Sequence, residues 1–261
     1  GQPQEWPCPV IPFAVHVVVC QTQHDEITGN TLSQRVQYRR SHYDGREREM
    51  RGFGLVIATD SEAASASAES TSPGLLTKTW YHTGRAVDEV LHGIAEHDPQ
   101  ARTLGPILLL RHDAQTGNDS IVTERDDALR HDMARALSGQ VLRTEVYGLD
   151  GQARAAVPYS VQVQRPALRL LQPRSAQQRY ATLLPMTLET LSYQYERIAD
   201  DPQCSHAVQL RADAFGAVTH AVSIAYARRK HEIDTPPYSD EHERTWWRDA
   251  FDPAQHRYYF S

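Results

Sequence analysis

The sequence predicts a mainly β protein, a large antiparallel sheet carrying a helical insertion in its middle third. Three observations predict it. Apolar residues alternate with polar ones at Tyr159, Val161 and Val163 and again at Leu191, Tyr193 and Tyr195, the period of a strand with one wet face. Val208, Leu210 and Ala212 lead into Asp213-Ala214-Phe215-Gly216, and Val218, Val222, Ile224 and Tyr226 lead out, which is a hairpin pattern. Long helical periodicity is confined to the middle of the chain.

Taken in order, the first element is a strand over 11–20, where Phe13, Val15, Val17 and Val19 alternate. Ala14 and Val18 make its second face apolar too, so it is expected to be buried on both sides. Pro12 and His16 interrupt the run, which is far short of the roughly 20 residues that span a bilayer. Thr28-Gly29-Asn30 then supplies a turn into a polar strand over 31–43, so the pair reads as a hairpin, and Asp44-Gly45 supplies the next turn. Arg51-Gly52-Phe53-Gly54 lacks the Lys-Ser or Lys-Thr and the helix of a phosphate loop, and reads as a β-bulge with Phe53 packed inward. The segment 61–72 has no apolar residue larger than alanine and is expected to be a loop. Trp80 and Tyr81 read as sheet-packing aromatics.

Two helices are expected. One covers 86–96, where Val87, Val90, Leu91 and Ile94 share a face before Pro99. The other covers 123–140, with Thr123 as N-cap, Leu129, Met133 and Leu137 four apart, and Gly139 as a stop. Pro166 marks an edge or break in its strand. The charged, proline-containing stretch 231–244 is expected to be loosely held. The aromatics that follow, Trp246, Trp247, Phe251, Tyr258, Tyr259 and Phe260, are expected to dock on a neighbouring surface. The chain divides into strands over 1–60, a loop and helical insertion over 61–140, and strands over 141–261.

Composition narrows the function. The 261 residues carry 27 basic and 33 acidic side chains, a formal −6, so no broad basic surface exists for nucleic acid. Cys8, Cys20 and Cys204 are odd in number and lack C-x-x-C spacing, which excludes a disulfide framework and a zinc motif but leaves room for a single bridge. The opening run lacks the basic leader and cleavage site of a signal peptide. None of the thirteen histidines forms H-E-x-x-H or H-x-H, and His92 and His97 fall on different helix faces. Fully protonated, the thirteen would reverse the sign of the net charge, unless most are exposed and uncoupled. Asp44, Glu47 and Glu49 alternate with Arg46, Arg48 and Arg51, a pattern of ion pairs rather than a glycosidase's facing carboxylates. No G-x-S-x-G elbow is present. No catalytic, cofactor-binding or metal-binding residue is therefore assigned, and no enzyme activity or cofactor is expected.

A family resemblance adds to this. Pro12 to Val18, His42-Tyr43-Asp44-Gly45, Glu47-Arg48-Glu49, Arg51-Gly52-Phe53-Gly54 and Thr79-Trp80-Tyr81-His82-Thr83-Gly84 resemble, in that order, the B component of bacterial insecticidal toxin complexes (Tc toxins), related to Rhs and YD-repeat proteins. Leu142 to Tyr147, Pro158-Tyr159-Ser160-Val161 and Leu170-Leu171-Gln172-Pro173 are similar to the same family, and the likeness weakens after about Tyr226. The resemblance implies a middle or C-terminal segment of a secreted toxin, an Rhs-type sheet forming part of a hollow shell. With a C component, such a shell encloses a cytotoxic polypeptide and delivers it through a pore-forming A component. Contact with the A component belongs to a propeller absent from this chain, and the segment itself is expected to touch neither nucleic acid nor membrane. For the histidines the favoured expectation is that most are exposed and uncoupled, with acid-sensitive shell assembly or cargo contact as the alternative. The competing reading is a secreted β-sandwich carbohydrate-binding module or glycosidase, with exposed tryptophans and paired carboxylates along a groove.

Overall fold

A computed structural model of the chain describes residues 11–63, 74–85, 98–230, 234–236 and 238–261. Twelve strands form one sheet: β1 (Cys20–His24), β2 (Thr31–Asp44), β3 (Glu49–Ala63), β4 (Leu75–Tyr81), β5 (Leu108–Asp113), β6 (Asn118–Ile121), β7 (Val141–Gly148), β8 (Ser160–Gln172), β9 (Thr182–Gln194), β10 (Gln203–Ala212), β11 (Val218–Ala225) and β12 (Tyr259–Phe260). Helix α1 (Asp127–Leu137) precedes β7, and α2 (Glu241–Asp249) precedes β12. The spatial order is β1-β2-β3-β4-β7-β8-β9-β10-β11-β12, with β5 and β6 off this path. Every pairing is antiparallel except β5 with β8.

That exception makes the sheet fork. The first part of β8 pairs with β7, from Ser160 to Val163. Its later part, Ala167 to Arg169, pairs with β5 instead. Pro166 lies between the two, at a register shift against β9. With no N–H to donate, proline sits where β8 changes partners and no ladder bond is forfeited. The break expected at Pro166 is thus a change of neighbour, and β8 continues through it.

Helix α1 fills the fork. Asp126 caps it by accepting from the Leu129 N–H at 2.7 Å, and Arg135 lies in its last turn, where a cation faces the free carbonyls. Gly139 takes φ +85° just past its end, a conformation glycine adopts without a Cβ penalty. Met133 and Leu137 are buried and pack with Ile107, Leu109, Leu168 and Leu170. Burying side chains of this size stabilises by about 2 kcal/mol each. A second core joins Val161, Val163, Leu191, Tyr193, Tyr195 and Cys204, the face that the alternation of β8 and β9 predicted. Both cores lie along the middle of the sheet. The accessible surface is 16813 Å², against roughly 11,500 Å² for a compact monomer of this mass.

Several expectations need correction. Residues 11–19 are not a buried strand: pairing begins only at Cys20, and Val18 and Val19 are 60% and 62% exposed. Apolar alternation reports what a segment can bury, and the described residues supply no layer over its outer side. The hairpin it was expected to form survives as β1 with β2. The helix starts at Asp127, because Asp126 rather than Thr123 reaches the free N–H groups. Strand β3 runs on to Ala63, three residues into the expected loop. The 231–244 stretch contains the start of α2, capped by Asp240, which accepts from the His242 and Glu243 N–H groups at 2.9 and 3.1 Å. The helix expected over 86–96 and the rest of the 61–72 loop lie outside the described residues.

The 208–226 hairpin forms as β10 and β11, with Gly216 at φ +89° in its turn. The bulge near Gly52 is also present. His42 pairs with Gly52 but Tyr43 with Met50, so Arg51 is the extra residue. Phe53 is half-buried against Tyr38, ring centroids 4.9 Å apart.

Candidate functional site

The charged residues that the sequence set beside the Asp44 turn become a seam between three elements. Asp44 accepts from Arg51 at 2.8 Å and lies 3.2 Å from His131 on α1. Its other oxygen takes the Arg46 and Glu47 N–H groups at 3.0 and 3.2 Å. Burial alone would raise its pKa, but these donors hold the carboxyl well below the usual range. Glu49 pairs with Arg51 at 3.1 Å and with Arg135 of α1 at 3.4 Å. From the turn between β8 and β9, the Tyr180 hydroxyl donates to Glu47 at 2.7 Å, and Arg135 stands 4.9 Å from the centre of its ring. Asp132, on α1, accepts from Arg174 twice at 2.6 Å and from the Ala181 N–H at 2.8 Å. Despite burial, those bonds lower the Asp132 pKa. The helix is therefore bolted at once to the β2–β3 turn and the β8–β9 turn.

A second seam holds the C-terminal arm. Asp98 is buried and accepts from Arg229 at 2.8 and 3.0 Å and from the Tyr195 hydroxyl at 2.9 Å. Burial and that bond to Asp98 both push the Tyr195 hydroxyl pKa up. Asp201 binds Arg228 at 2.7 Å and takes the Arg229 and Lys230 N–H groups at 2.8 and 3.0 Å. Lys230 stands 4.0 Å from the Trp247 ring centre and donates to its carbonyl. Of the terminal aromatics, Trp247 stands over Lys230, Tyr258 lies edge-on to Tyr226 at 5.7 Å, Phe251 lies 5.3 Å from the His256 ring, and Tyr259 and Phe260 pair with Ala225 and Ile224 as β12. Trp246 and Phe260 stay 69% exposed.

At the fork, Arg169 is wholly buried. It donates to Asp119 at 2.7 Å and to the carbonyls of Ala212 and Asp213. On β7, Arg143 pairs with Glu145, which also accepts from the Tyr147 hydroxyl at 2.7 Å. Arg143 lies 5.2 Å from the Trp80 ring centre, so that tryptophan packs within the sheet.

The chemistry available here is cohesive. Asp44, Glu47 and Glu49 all end on arginines, a tyrosine or a histidine, so none faces another across an open groove as a glycosidase requires. Among the described residues no three His, Cys, Asp or Glu side chains gather as metal ligands, and no helix is long and apolar enough to cross a membrane. Cys20 is exposed and Cys204 buried, both as free thiols.

The open features are sheet edges. Val19 accepts from the Val36 N–H at 2.9 Å, and the β1–β2 register pairs Gln21 with Gln34 and Gln23 with Leu32. In an antiparallel ladder alternate residues turn their backbone groups outward, so Cys20, Thr22 and His24 present N–H and C=O along the free side of β1. All five residues of β1 are exposed. At the other end β12 covers only the last part of β11, with Phe260 and Tyr259 opposite Ile224 and Ala225 and Ser261 exchanging backbone bonds with Ser223 at 2.9 and 3.0 Å. These edges follow from topology and carry no motif in the sequence.

The comparisons with known proteins agree with this architecture. Residues 132–261 match the family described as the insecticide toxin TcdB middle/C-terminal region, and residues 2–84 match the TcdB middle/N-terminal region. The solved TcdB2-TccC3 complex without its hypervariable C-terminal region is 37% identical, with a TM-score of 0.83 over 94% of this chain and 11% of that one. The TcdB2-TccC3-Cdc42 structure is 37% identical, with a TM-score of 0.81 over 94% of this chain and 11% of that one. The Photorhabdus luminescens Tc holotoxin pore is 36% identical, with a TM-score of 0.72 over 87% of this chain and 10% of that one. No curated protein matches the chain. It spans about a tenth of the solved chains it resembles. With both TcdB regions matched and the twelve-stranded fold shared, the chain belongs to the insecticide toxin TcdB family, as a middle segment of a Tc toxin B component.

Proposed function

We propose that this segment is one wall of a closed, secreted container, in which a B component and a C component together enclose a cytotoxic polypeptide. An A component, reached through a part of the B component outside this segment, then delivers the cargo. The wall does no covalent chemistry, needs no cofactor and touches neither nucleic acid nor membrane. Within it, strands over 1–60 and 141–261 form the sheet, and 61–140 supplies the loop and helical insertion.

One observation carries this reading. Among the described residues the sheet buries charged side chains in seams between its own elements, yet leaves the backbone of β1 unpaired along one edge. Open strand edges are aggregation hazards that proteins normally cover, and joining a neighbouring strand covers this one. The solved relatives are complexes of TcdB2 with TccC3, which supports a C component as partner.

The test is co-expression of a B component carrying this segment with a C component, followed by protease treatment. The cargo polypeptide is expected to survive while intact shell surrounds it. Thr22→Pro removes one outward N–H from the β1 edge and is expected to expose the cargo to digestion. Full protection with the edge blocked, or a cargo never protected, would defeat the reading.

A further inference from the structure

Between β9 and the C-terminal arm lies a cavity of about 370 Å³, within the range of roughly 300–1,000 Å³ usual for small-ligand pockets. Its floor is one row across four strands. Ser192 of β9 lies opposite Ser205 of β10, Ser205 opposite Ala225 of β11, and Ala225 opposite Tyr259 of β12. Directly opposed residues share a face of the sheet. Gln194 and Gln203 are also opposed, two residues along on that same face, the reverse of the one that buries Leu191, Tyr193 and Tyr195. Arg228, Gln255 and Arg257 wall the cavity from the arm.

The polar groups of this cavity are unspent. Among the described residues the side chains of Ser192, Gln194, Gln203, Ser205 and Gln255 make no hydrogen bond, and the Arg257 guanidinium makes neither a hydrogen bond nor an ion pair. Arg228 meets Asp201 through Nε and Nη2, which leaves its Nη1 without a partner there. No Asp or Glu lines the cavity, although the chain as a whole carries a formal −6. Elsewhere Arg51, Arg169 and Arg229 all end on carboxylates. Tyr259 donates its hydroxyl to the Ala254 carbonyl at 3.0 Å, so toward a ligand its ring offers carbon surface.

From this arrangement we infer that the cavity binds a carboxylated sugar, a ring of the uronic-acid type. Arg257 takes the carboxylate, since a guanidinium and a carboxylate form the stronger, charge-assisted kind of hydrogen bond. Serine hydroxyls and glutamine amides both donate and accept, which is what a ring of hydroxyl groups requires. The Tyr259 ring packs on a C–H face of the sugar. An acidic peptide is the poorer match, because it gains most from pairing its main chain with a strand edge. Here β9, β10, β11 and β12 already pair with one another beneath the cavity. Cleavage of a glycoside needs two carboxylates, and the cavity has none, so it binds without hydrolysing. The site differs in this from a glycosidase groove, and it stands independently of the container reading.

The experiment titrates the chain with glucuronate, and separately with glucose, acetate and a short glutamate peptide, at constant ionic strength. Binding is read from the side-chain amide resonances of Gln194 and Gln203. Glucuronate is expected to shift both saturably, with a Kd of about 1 mM. Glucose lacks the carboxylate and acetate lacks the ring, so each is expected to bind at least about tenfold more weakly. Arg257→Gln, at a side chain that holds nothing else in place, is expected to weaken glucuronate about tenfold. Ser205→Trp fills the floor and is expected to abolish the shifts. Backbone amide spectra check that each variant keeps the sheet; should Ser205→Trp lose it, Arg257→Gln alone decides. The inference is overturned if glucuronate gives no saturable shift, or if glucose or acetate binds as tightly. A glutamate peptide that binds more tightly than glucuronate, or unaltered affinity in a folded variant, overturns it too.

Discussion

Arg169 offers the sharpest test of how the sheet is held at its fork. No part of this residue reaches solvent, and its guanidinium joins β8 to Asp119 of β6 and to the Ala212 and Asp213 carbonyls at the end of β10. Arg169→Met keeps most of the apolar stem and deletes the charge. Asp119 is then left with His112 alone, and two carbonyls lose a donor. Breaking a buried ion pair from one side costs about 3–5 kcal/mol. The Nε of Arg169 has no hydrogen-bond partner among the described residues, a cost of about 1 kcal/mol that the substitution relieves. A net loss of about 3 kcal/mol follows, more than a hundredfold in the folding constant. Urea unfolding followed by far-UV circular dichroism at pH 7.5 measures it. Adding Asp119→Ala is expected to cost far less than it does alone, because its partner is already gone, with a coupling of about 2 kcal/mol. A loss under about 1 kcal/mol for Arg169→Met, or strict additivity of the pair, would refute the account of the fork.

Other consequences are equally open to measurement. Asp44, Asp132 and Asp201 have lowered pKa values in the folded chain, so the stability they contribute is present above the ordinary carboxylate range near 4 and is lost as pH falls below it. Acid titration followed by circular dichroism should therefore show weakening below about pH 4, and a chain equally stable at pH 2.5 would contradict the assignment. A Cβ on Gly74 would lie 2.3 Å from the Asp60 carbonyl oxygen, a backbone atom with little freedom to move. Gly74→Ala is thus expected to cost about 1–3 kcal/mol and to speed amide exchange across β3 and β4; unaltered exchange would count against that register. Trp246→Ala should leave stability within about 0.5 kcal/mol, whereas Trp247→Ala, which removes the ring facing Lys230, should cost about 1–2 kcal/mol. Equal effects in urea unfolding would mean that the arm docks differently.

Residues near in sequence account for most of what could be read in advance. The Leu191-Tyr193-Tyr195 alternation marked a buried face because a strand's side chains repeat every two residues, and those three are 1%, 1% and 3% exposed. Gly216, Gly52 and Gly139 marked a turn, a bulge and a helix end because each takes a positive φ. Met133 and Leu137 marked the inner side of α1. The same reasoning misplaced the helix start, since Thr123 and Asp126 are both good caps and only local geometry chooses between them. It also misjudged 11–19, whose apolar residues have no covering layer among the described residues.

The candidate sites were less readable, because their members lie far apart along the chain. Asp44 meets His131 across 87 residues and Tyr180 meets Glu47 across 133. The charge pattern near Asp44 announced ion pairs, but not that α1 and the β8–β9 turn would supply the partners. Strand identity, turn positions and the amphipathic helix are thus written in local order, through backbone sterics and side-chain periodicity. Which strand lies beside which, the fork at Pro166, the open edge of β1 and the cavity beside the C-terminal arm were decided only by tertiary structure. Hydrogen-bond registers and long-range ion pairs depend on distances that no short stretch of residues encodes.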